Sequence, residues 1–269
     1  MLYKESIHTS ETLQSIKNIF SKRFENANFG LYIWDNSPNA QSLDDIYSLK
    51  ETCIGLKDLE YNHDSSNKSL SYVYNEALDL FLEQDYLVIL DQDSKFKEDY
   101  INEFLSVVED FQYDLILPVI KFKDTIVSPT KINYIKGSYY KYAPYGKIEP
   151  SRISAINSGM IISLPYVKRI GFRYDKNLKN YCTDDYFMLN FRRFGGALYV
   201  LNYNFSHDLS LSTLNENSLS LRERYKLMKE GRYIVYSSNI IDKCMIRMYF
   251  FIHKIYMAIK YKDKEYLKV

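Results

Sequence analysis

Cysteine, glycine, proline and tryptophan are scarce in this chain, and neither sign of charge dominates. Its three cysteines, Cys53, Cys182 and Cys244, are odd in number and far apart in 269 residues. That excludes a disulfide framework and fits no zinc-ligand spacing, so a reducing cytosol is the expected compartment. The opening MLYKESIHTSETL lacks the basic start and apolar run of a secretory signal. Nine Gly and six Pro exclude a collagen-like or low-complexity chain. With 35 Lys+Arg against 34 Asp+Glu, the net charge of +1 gives no basic excess for a nucleic-acid-binding surface. The longest apolar stretch near the end, Met245 to Ile259, is broken by Arg247, His253 and Lys254. A spanning helix needs about 18 uninterrupted apolar residues, so a soluble or peripheral protein is expected. Neither GxGxxG nor GxxxxGK[ST] occurs, which removes the main support for dinucleotide and P-loop sites.

What is present is an ordinary globular balance, 46% hydrophobic and 26% charged, with 27 Tyr lifting aromatics to 16%. Such a chain can bury a full core and offers many flat, amphipathic surfaces. The first 120 residues alternate helix and strand. Leu13, Ile16, Ile19, Phe20 and Phe24 recur at helical spacing after Ser10, a good N-cap. GLYIWDNSPN reads as a strand entering a turn, LEYNH as a short strand, and SLSYVYNEALDLFLEQ as an amphipathic helix. DYLVILDQDS is an apolar strand running into polar residues, FKEDYINEFLSVVEDF a helix and YDLILPVIKF a buried strand. This rhythm predicts an α/β fold with a mostly parallel central sheet covered by helices on both faces. Residues 121–154 read as loops or short strands, Met160 to Leu164 as a strand, and the chain from about Leu219 as helical.

In open α/β sheets ligands bind beyond the carboxyl ends of the strands. Three strands end there in polar groups: Asp35-Asn36, Asn62-His63-Asp64 and Asp91-Gln92-Asp93. A D-x-D tripeptide alone arises readily by chance, and a solvated turn capping the next helix explains it too. Placed directly after LVIL, however, two carboxylates can hold Mg²⁺ or Mn²⁺ with open positions for diphosphate oxygens. Asp184-Asp185 opens a helix; capping accounts comfortably for one carboxylate, and a carboxylate at a pocket edge can act as a general base. His207, followed by Asp208, is either a structural histidine or a metal ligand. Asn67, before a helix start, is a turn residue or part of an anion site.

Taken in order, LYKESIHTSETLQSI, YIWDNSPN, NKSLSYVYNEAL, LVILDQDS, NSGMIIS followed by GF, and TDDYFMLNFRRFGG match a known family. The chain resembles the family-two glycosyltransferases of GT-A fold, particularly the bacterial rhamnosyltransferase-like branch, over about residues 1 to 210. FSHDLSLS and the helical tail are similar to that branch too, less distinctively.

The resemblance implies a catalytic domain over 1–218, with a nucleotide-binding half to about residue 120 and an acceptor half after it, and a helical extension over 219–269. It also implies inverting transfer of a sugar from a nucleotide diphosphate to an acceptor hydroxyl in capsule or cell-wall polysaccharide synthesis. The first expectation for the donor is dTDP-rhamnose, with UDP-hexoses next. By the same resemblance Asp91 and Asp93 bind Mn²⁺ or Mg²⁺, completed by His207. Tyr3, Asp35, Asn67, Asn75 and Gln92 join them on the donor side. Asn157, Ser158 and Gly159 lie on the acceptor side. Asp185 is the expected catalytic base, with Asp184 the alternative register. The family opens with a full apolar strand where only Met1-Leu2-Tyr3 stands here, so a stub is expected in its place.

Two other functions stay open: a nucleotidyltransferase, which usually has a Gly-rich basic loop that YKESIHTSET does not supply, and a catalytically silent carbohydrate-binding or scaffold protein. In the tail, apolar residues at helical spacing accompany Lys243, Arg247, Lys254, Lys260, Lys262, Lys264 and Lys268. That suits an anionic membrane surface such as the inner face of the plasma membrane, and a lipid-linked glycan acceptor, which the resemblance implies, would account for membrane proximity. Equally, it suits a helix packed on the core or against a second copy in a homodimer.

Overall fold

A computed structural model describes residues 1–206 and 218–269. The helix α1 (Glu11–Ile19) starts where expected: the Ser10 hydroxyl accepts the Leu13 N–H, while Leu13, Ile16 and Ile19 are buried. It ends sooner than the apolar spacing suggests. Phe24 lies beyond it, its ring 5.5 Å from Phe20 and 5.2 Å from Phe29. There follow β1 (Phe29–Asp35), α2 (Leu43–Thr52), β2 (Leu56–His63), α3 (Leu70–Leu80), β3 (Tyr86–Ile89), α4 (Glu98–Asp110) and β4 (Leu115–Phe122). Residues 121–154 are more regular than a set of loops. They form β5 (Thr125–Ser128), β6 (Thr130–Asn133), β7 (Lys136–Tyr139), β8 (Gly146–Ile148) and β9 (Ile153–Ser154). Then come β10 (Met160–Ser163), α5 (Leu164–Ile170), α6 (Thr183–Phe194) and β11 (Leu198–Ser206), and after them α7 (Ser218–Val235), α8 (Ile240–Lys260) and a short 3-10 helix (Lys264–Leu267).

The main sheet runs β3-β10-β4-β11-β8, with β5 added to β4. It is mixed: β11 is parallel to β4, whereas β10 is antiparallel to both β3 and β4. The reason lies in the connection. Between β4 and β10 the chain makes only short strands, so it re-enters the sheet from the end it left, without the crossover helix a parallel neighbour needs. In β4, Leu115, Leu117 and Val119 face one core and Ile116 and Ile120 the other; in β10, Met160 and Ile162 oppose Ile161. These strands are apolar throughout because helices cover both faces.

The expected stub is present. Leu2 makes one isolated parallel bridge to Asp35, donating to Trp34 O at 2.8 Å and accepting from Asn36 N at 2.8 Å. The Met1 amine reaches Leu90 O at 3.5 Å. Residues 1 and 2 thus join the carboxyl ends of β1 and β3, and β1 pairs only with β2 in a separate two-stranded sheet. Apolar Tyr86, Leu87 and Val88 are therefore only half-buried, and Ile89 alone is fully enclosed in β3.

The tail packs against the segment before α6 through a third core. Val235, Tyr236, Ile246 and Phe250 gather with Leu178 and Cys182. Gly231 permits this contact, since a Cβ there would lie 3.0 Å from both Cys182 Sγ and Tyr181 O.

Candidate functional site

The loop after β3 is held by the start of α1. Ser10 Oγ donates to Gln92 O at 2.7 Å, and Thr12 Oγ1 donates to Asp91 O and, at 3.1 Å, to Ser94 O. Ser94 N–H returns to Thr12 Oγ1 at 2.9 Å. Two side chains of one helix turn therefore fix the backbone that carries Asp91. The sequence marks Ser10 only as a cap, and nothing in it marks Thr12. On the other side the Ser158 hydroxyl donates to Asp91 Oδ2. The acidic loop after β3 and the NSG segment before β10 are thereby brought together.

Asn157 donates through Nδ2 to Thr183 Oγ1 at 2.9 Å, linking this segment to the first turn of α6. Its Oδ1 is buried with no hydrogen-bond partner. Buried acceptors are nearly always satisfied, so this oxygen is a candidate ligand contact. Gly159 does another job. Its φ is +72°, its N–H donates to Ile89 O at 2.8 Å, and a Cβ would meet Pro118 and Phe205 at 2.9 and 3.0 Å. It is buried among backbone and rings and shapes the loop that presents Ser158.

The acidic pair at the start of α6 is split by its surroundings. Asp185 Oδ2 receives Arg232 Nε of α7 at 3.2 Å, and both side chains are less than one-fifth exposed. Although burial disfavours the Arg232 cation, Asp185 holds its pKa above the ordinary arginine value. Asp184, the second residue of α6, accepts the Asp185 N–H of its own first turn at 2.8 Å. Burial is the main cause raising its pKa to about 7; the charges of Asp185 and Asp91 add to it, and the Asp185 N–H and Arg232 oppose it. Asp91 and Asp184, distant in sequence, therefore act on each other. Tyr74 of α3, which no motif singles out, feels both: burial pushes its phenol well above the usual value, Asp91, Tyr174 and Asp184 push it further, and a hydrogen bond from Asn157 opposes them.

Other donor-side candidates are tied up internally. Asp35 is fully buried. Its carboxylate accepts from Ser37 N at 2.9 Å, Gln41 Nε2 at 3.0 Å and Tyr61 Oη at 2.7 Å. Burial raises its pKa, but these hydrogen bonds outweigh burial and hold it below the carboxylate norm. Asn75 clamps the backbone of Tyr174, donating to O at 3.0 Å and accepting from N at 2.9 Å. Asn67 is an exposed turn residue with φ +53°. Gln92 accepts the Tyr3 N–H at 2.7 Å, leaving the Tyr3 ring partly exposed. An open cavity of about 350 Å³ lies nearby, lined by Lys4, Glu5, Ser6, Ser37, Asn39 and Gln41.

Among the described residues no three His, Cys, Asp or Glu side chains cluster closely enough to hold a metal unaided. His207 lies outside the described residues. Asp93 is partly exposed on the same loop as Asp91. Asp91, with Asp93 on the same loop and the unpartnered Asn157 oxygen, offers the oxygen donors that suit a divalent cation finding further ligands on a bound anion.

No family model matches the chain, and no curated protein matches it in sequence. Solved structures do match in shape. A 1–349 piece of S. aureus TarS in complex with UDP superposes with a TM-score of 0.53 at 12% identity, over 91% of this chain and 67% of that one. The same piece with UDP-GlcNAc gives 0.52 at 11%, over 91% and 69%. GalNAc-T7 with UDP, GalNAc and Mn²⁺ gives 0.50 at 10%, over 75% and 40%. The chain has the GT-A fold. It spans 66% of another TarS 1-349 chain and 42% of the longer TarS chain.

Proposed function

We propose that the chain is a glycosyltransferase that uses a nucleotide-sugar donor. The observation that carries this reading is the convergence of Asp91, Ser158, Asn157 and Asp184 at the end of β3 and the start of α6 in a GT-A fold. Uridine donors come first among candidates because UDP and UDP-GlcNAc occupy TarS structures. A dTDP-sugar such as dTDP-rhamnose comes second, and the acceptor is a glycan hydroxyl of capsule or cell-wall polysaccharide.

In this reading Asp91 and Asp93 hold Mn²⁺ or Mg²⁺, with His207 as the remaining candidate ligand. The cation, when bound, offsets the negative charge on the departing diphosphate. Asp184 is assigned as the base in preference to Asp185. Asp185 is committed to Arg232, whereas Asp184 opens the same helix beside Asp91 and burial raises its pKa, which makes its carboxylate the better proton acceptor of the two. Asp184 takes the proton from the acceptor hydroxyl as that oxygen bonds to the anomeric carbon and the bond to the diphosphate breaks on the opposite face. Inversion follows from that geometry. Ser158 and Thr12 act by holding Asp91, a positioning role.

The test is a melting-temperature panel of UDP, dTDP and GDP, each with and without Mn²⁺. A nucleotide at about 100 times its Kd stabilises the folded state by about 2.7 kcal/mol. The expected result is a metal-dependent rise with UDP or dTDP that is lost in Asp91→Asn. No rise with any nucleotide would refute the transferase reading in favour of a silent member of the fold.

A further inference from the structure

The tail helix α8 buries one narrow face and exposes a broad apolar one. Ile246, Phe250 and Met257 pack inward. On the opposite side Ile241, Met248, Phe251, Ile252, Ile255 and Ile259 are exposed, four of them by 60% or more. At 3.6 residues per turn, these six fall within about 100° of the helix and run nearly its whole length, about 30 Å. Every residue in that sector is apolar or aromatic apart from Cys244. Single exposed apolar residues are common on soluble proteins, but an unbroken face of this length marks an interaction surface.

Charge decides what covers it. One edge of the face carries Lys243, Arg247 and Lys254, and Lys260 stands at the end, followed by Lys262 and Lys264. The sole acid of the helix, Asp242, is taken up by Tyr134 Oη at 2.6 Å, Ser238 Oγ at 2.9 Å and Asn239 Nδ2 at 2.8 Å. An antiparallel two-fold pairing of two copies would set the Lys243–Arg247–Lys254 edge against itself, a like-charge arrangement. Among the described residues no helix is long and apolar enough to cross a membrane. A helix lying in the plane of a bilayer, apolar face in the acyl boundary and basic edge at the headgroups, satisfies both features.

We propose that α8 docks the protein onto an anionic lipid bilayer through this face. The core-facing side of the helix stays on the protein, so the catalytic unit is held against the membrane and does not hang from a flexible tether. The same tail supplies Arg232 to Asp185, which ties the docked element to the candidate site. Docking itself does not depend on transferase activity.

The experiment is sedimentation of the full chain with vesicles of phosphatidylcholine and phosphatidylglycerol in equal parts, and with phosphatidylcholine alone. Binding to the mixed vesicles at low salt, weakened in high salt and weak or absent on the neutral ones, is expected. Each basic side chain near such a surface is worth about 1 kcal/mol, so K243E/R247E weakens binding by at least about 25-fold. F251E/I252E abolishes it, while Tyr47→Glu, an exposed residue of α2 far in sequence from the tail, leaves it unchanged. Melting temperatures of the variants show that they are folded. No binding of the wild-type chain to mixed vesicles overturns the proposal, as does equal binding to both vesicle types. A dimer in light scattering that F251E/I252E dissociates, without vesicle binding, also overturns it and assigns the face to a second copy. Nucleotide-induced melting shifts, measured without lipid, report separately on the transferase reading.

Discussion

Replacing Arg232 by Met tests whether the tail and the acidic pair form one electrostatic unit. The guanidinium lies 3.2 Å from Asp185, with 19% and 18% of the two side chains exposed. Removing one partner of a buried pair costs about 3–5 kcal/mol, because the other charge is left without compensation. The residual exposure lets water reach Asp185 and reduces this to about 2–3 kcal/mol. For a chain of this size that lowers the melting temperature by about 5–10 °C. Loss also extends to Asp184, since Arg232 is one of the two groups opposing its raised pKa. Differential scanning calorimetry of Arg232→Met, Asp185→Asn and the double variant measures the coupling directly. The double variant is expected to recover at least about 1 kcal/mol relative to the sum of the singles. Strict additivity, or an Arg232→Met melting temperature equal to that of the wild type, would refute the pairing.

Two further outcomes are expected. Asp184 has a pKa of about 7 in the folded chain against an ordinary value of 3.8, so the folded state binds more protons between these values. Its burial therefore lowers stability as pH rises from about 4 to 7, and the cost is fully present above that. Asp184→Asn should accordingly melt higher than the wild type at pH 8 and nearly equal to it at pH 4, and a gain of the same size at both would contradict the raised pKa. Gly159→Ala combines a left-handed φ of +72° with contacts at 2.9 and 3.0 Å to Pro118 and Phe205. It should cost about 2–4 kcal/mol in urea unfolding, and a change under about 0.5 kcal/mol would show that the loop has room.

Much of the fold was legible in the chain itself because its signals are local. Ser10 before an apolar 3.6 periodicity starts α1, and doubly apolar LILPVI and MIIS are buried on both faces. The acidic ends of β1 and β3 and the double acid of α6 could also be read directly, since residue type and strand end are both sequence properties. The antiparallel run of β10 was not legible, because it depends on which end of the sheet the 121–154 segment returns to.

Roles within the site needed the tertiary structure throughout. Asp35 and Asn75 carry the right side chains, yet Tyr61, Gln41 and the Tyr174 backbone absorb them. Thr12 and Tyr74 carry no motif, yet one fixes the Asp91 loop and the other, buried, feels the charges of Asp91 and Asp184. Asp184 and Asp185 are adjacent and chemically identical; what separates them is Arg232, brought from α7, which packs closely on Cys182 at Gly231. Composition and periodicity thus determined which segments form helices and strands and where carboxylates end them. Only packing decided which carboxylate is neutralised, because pKa and pairing depend on neighbours that the chain brings together from remote positions.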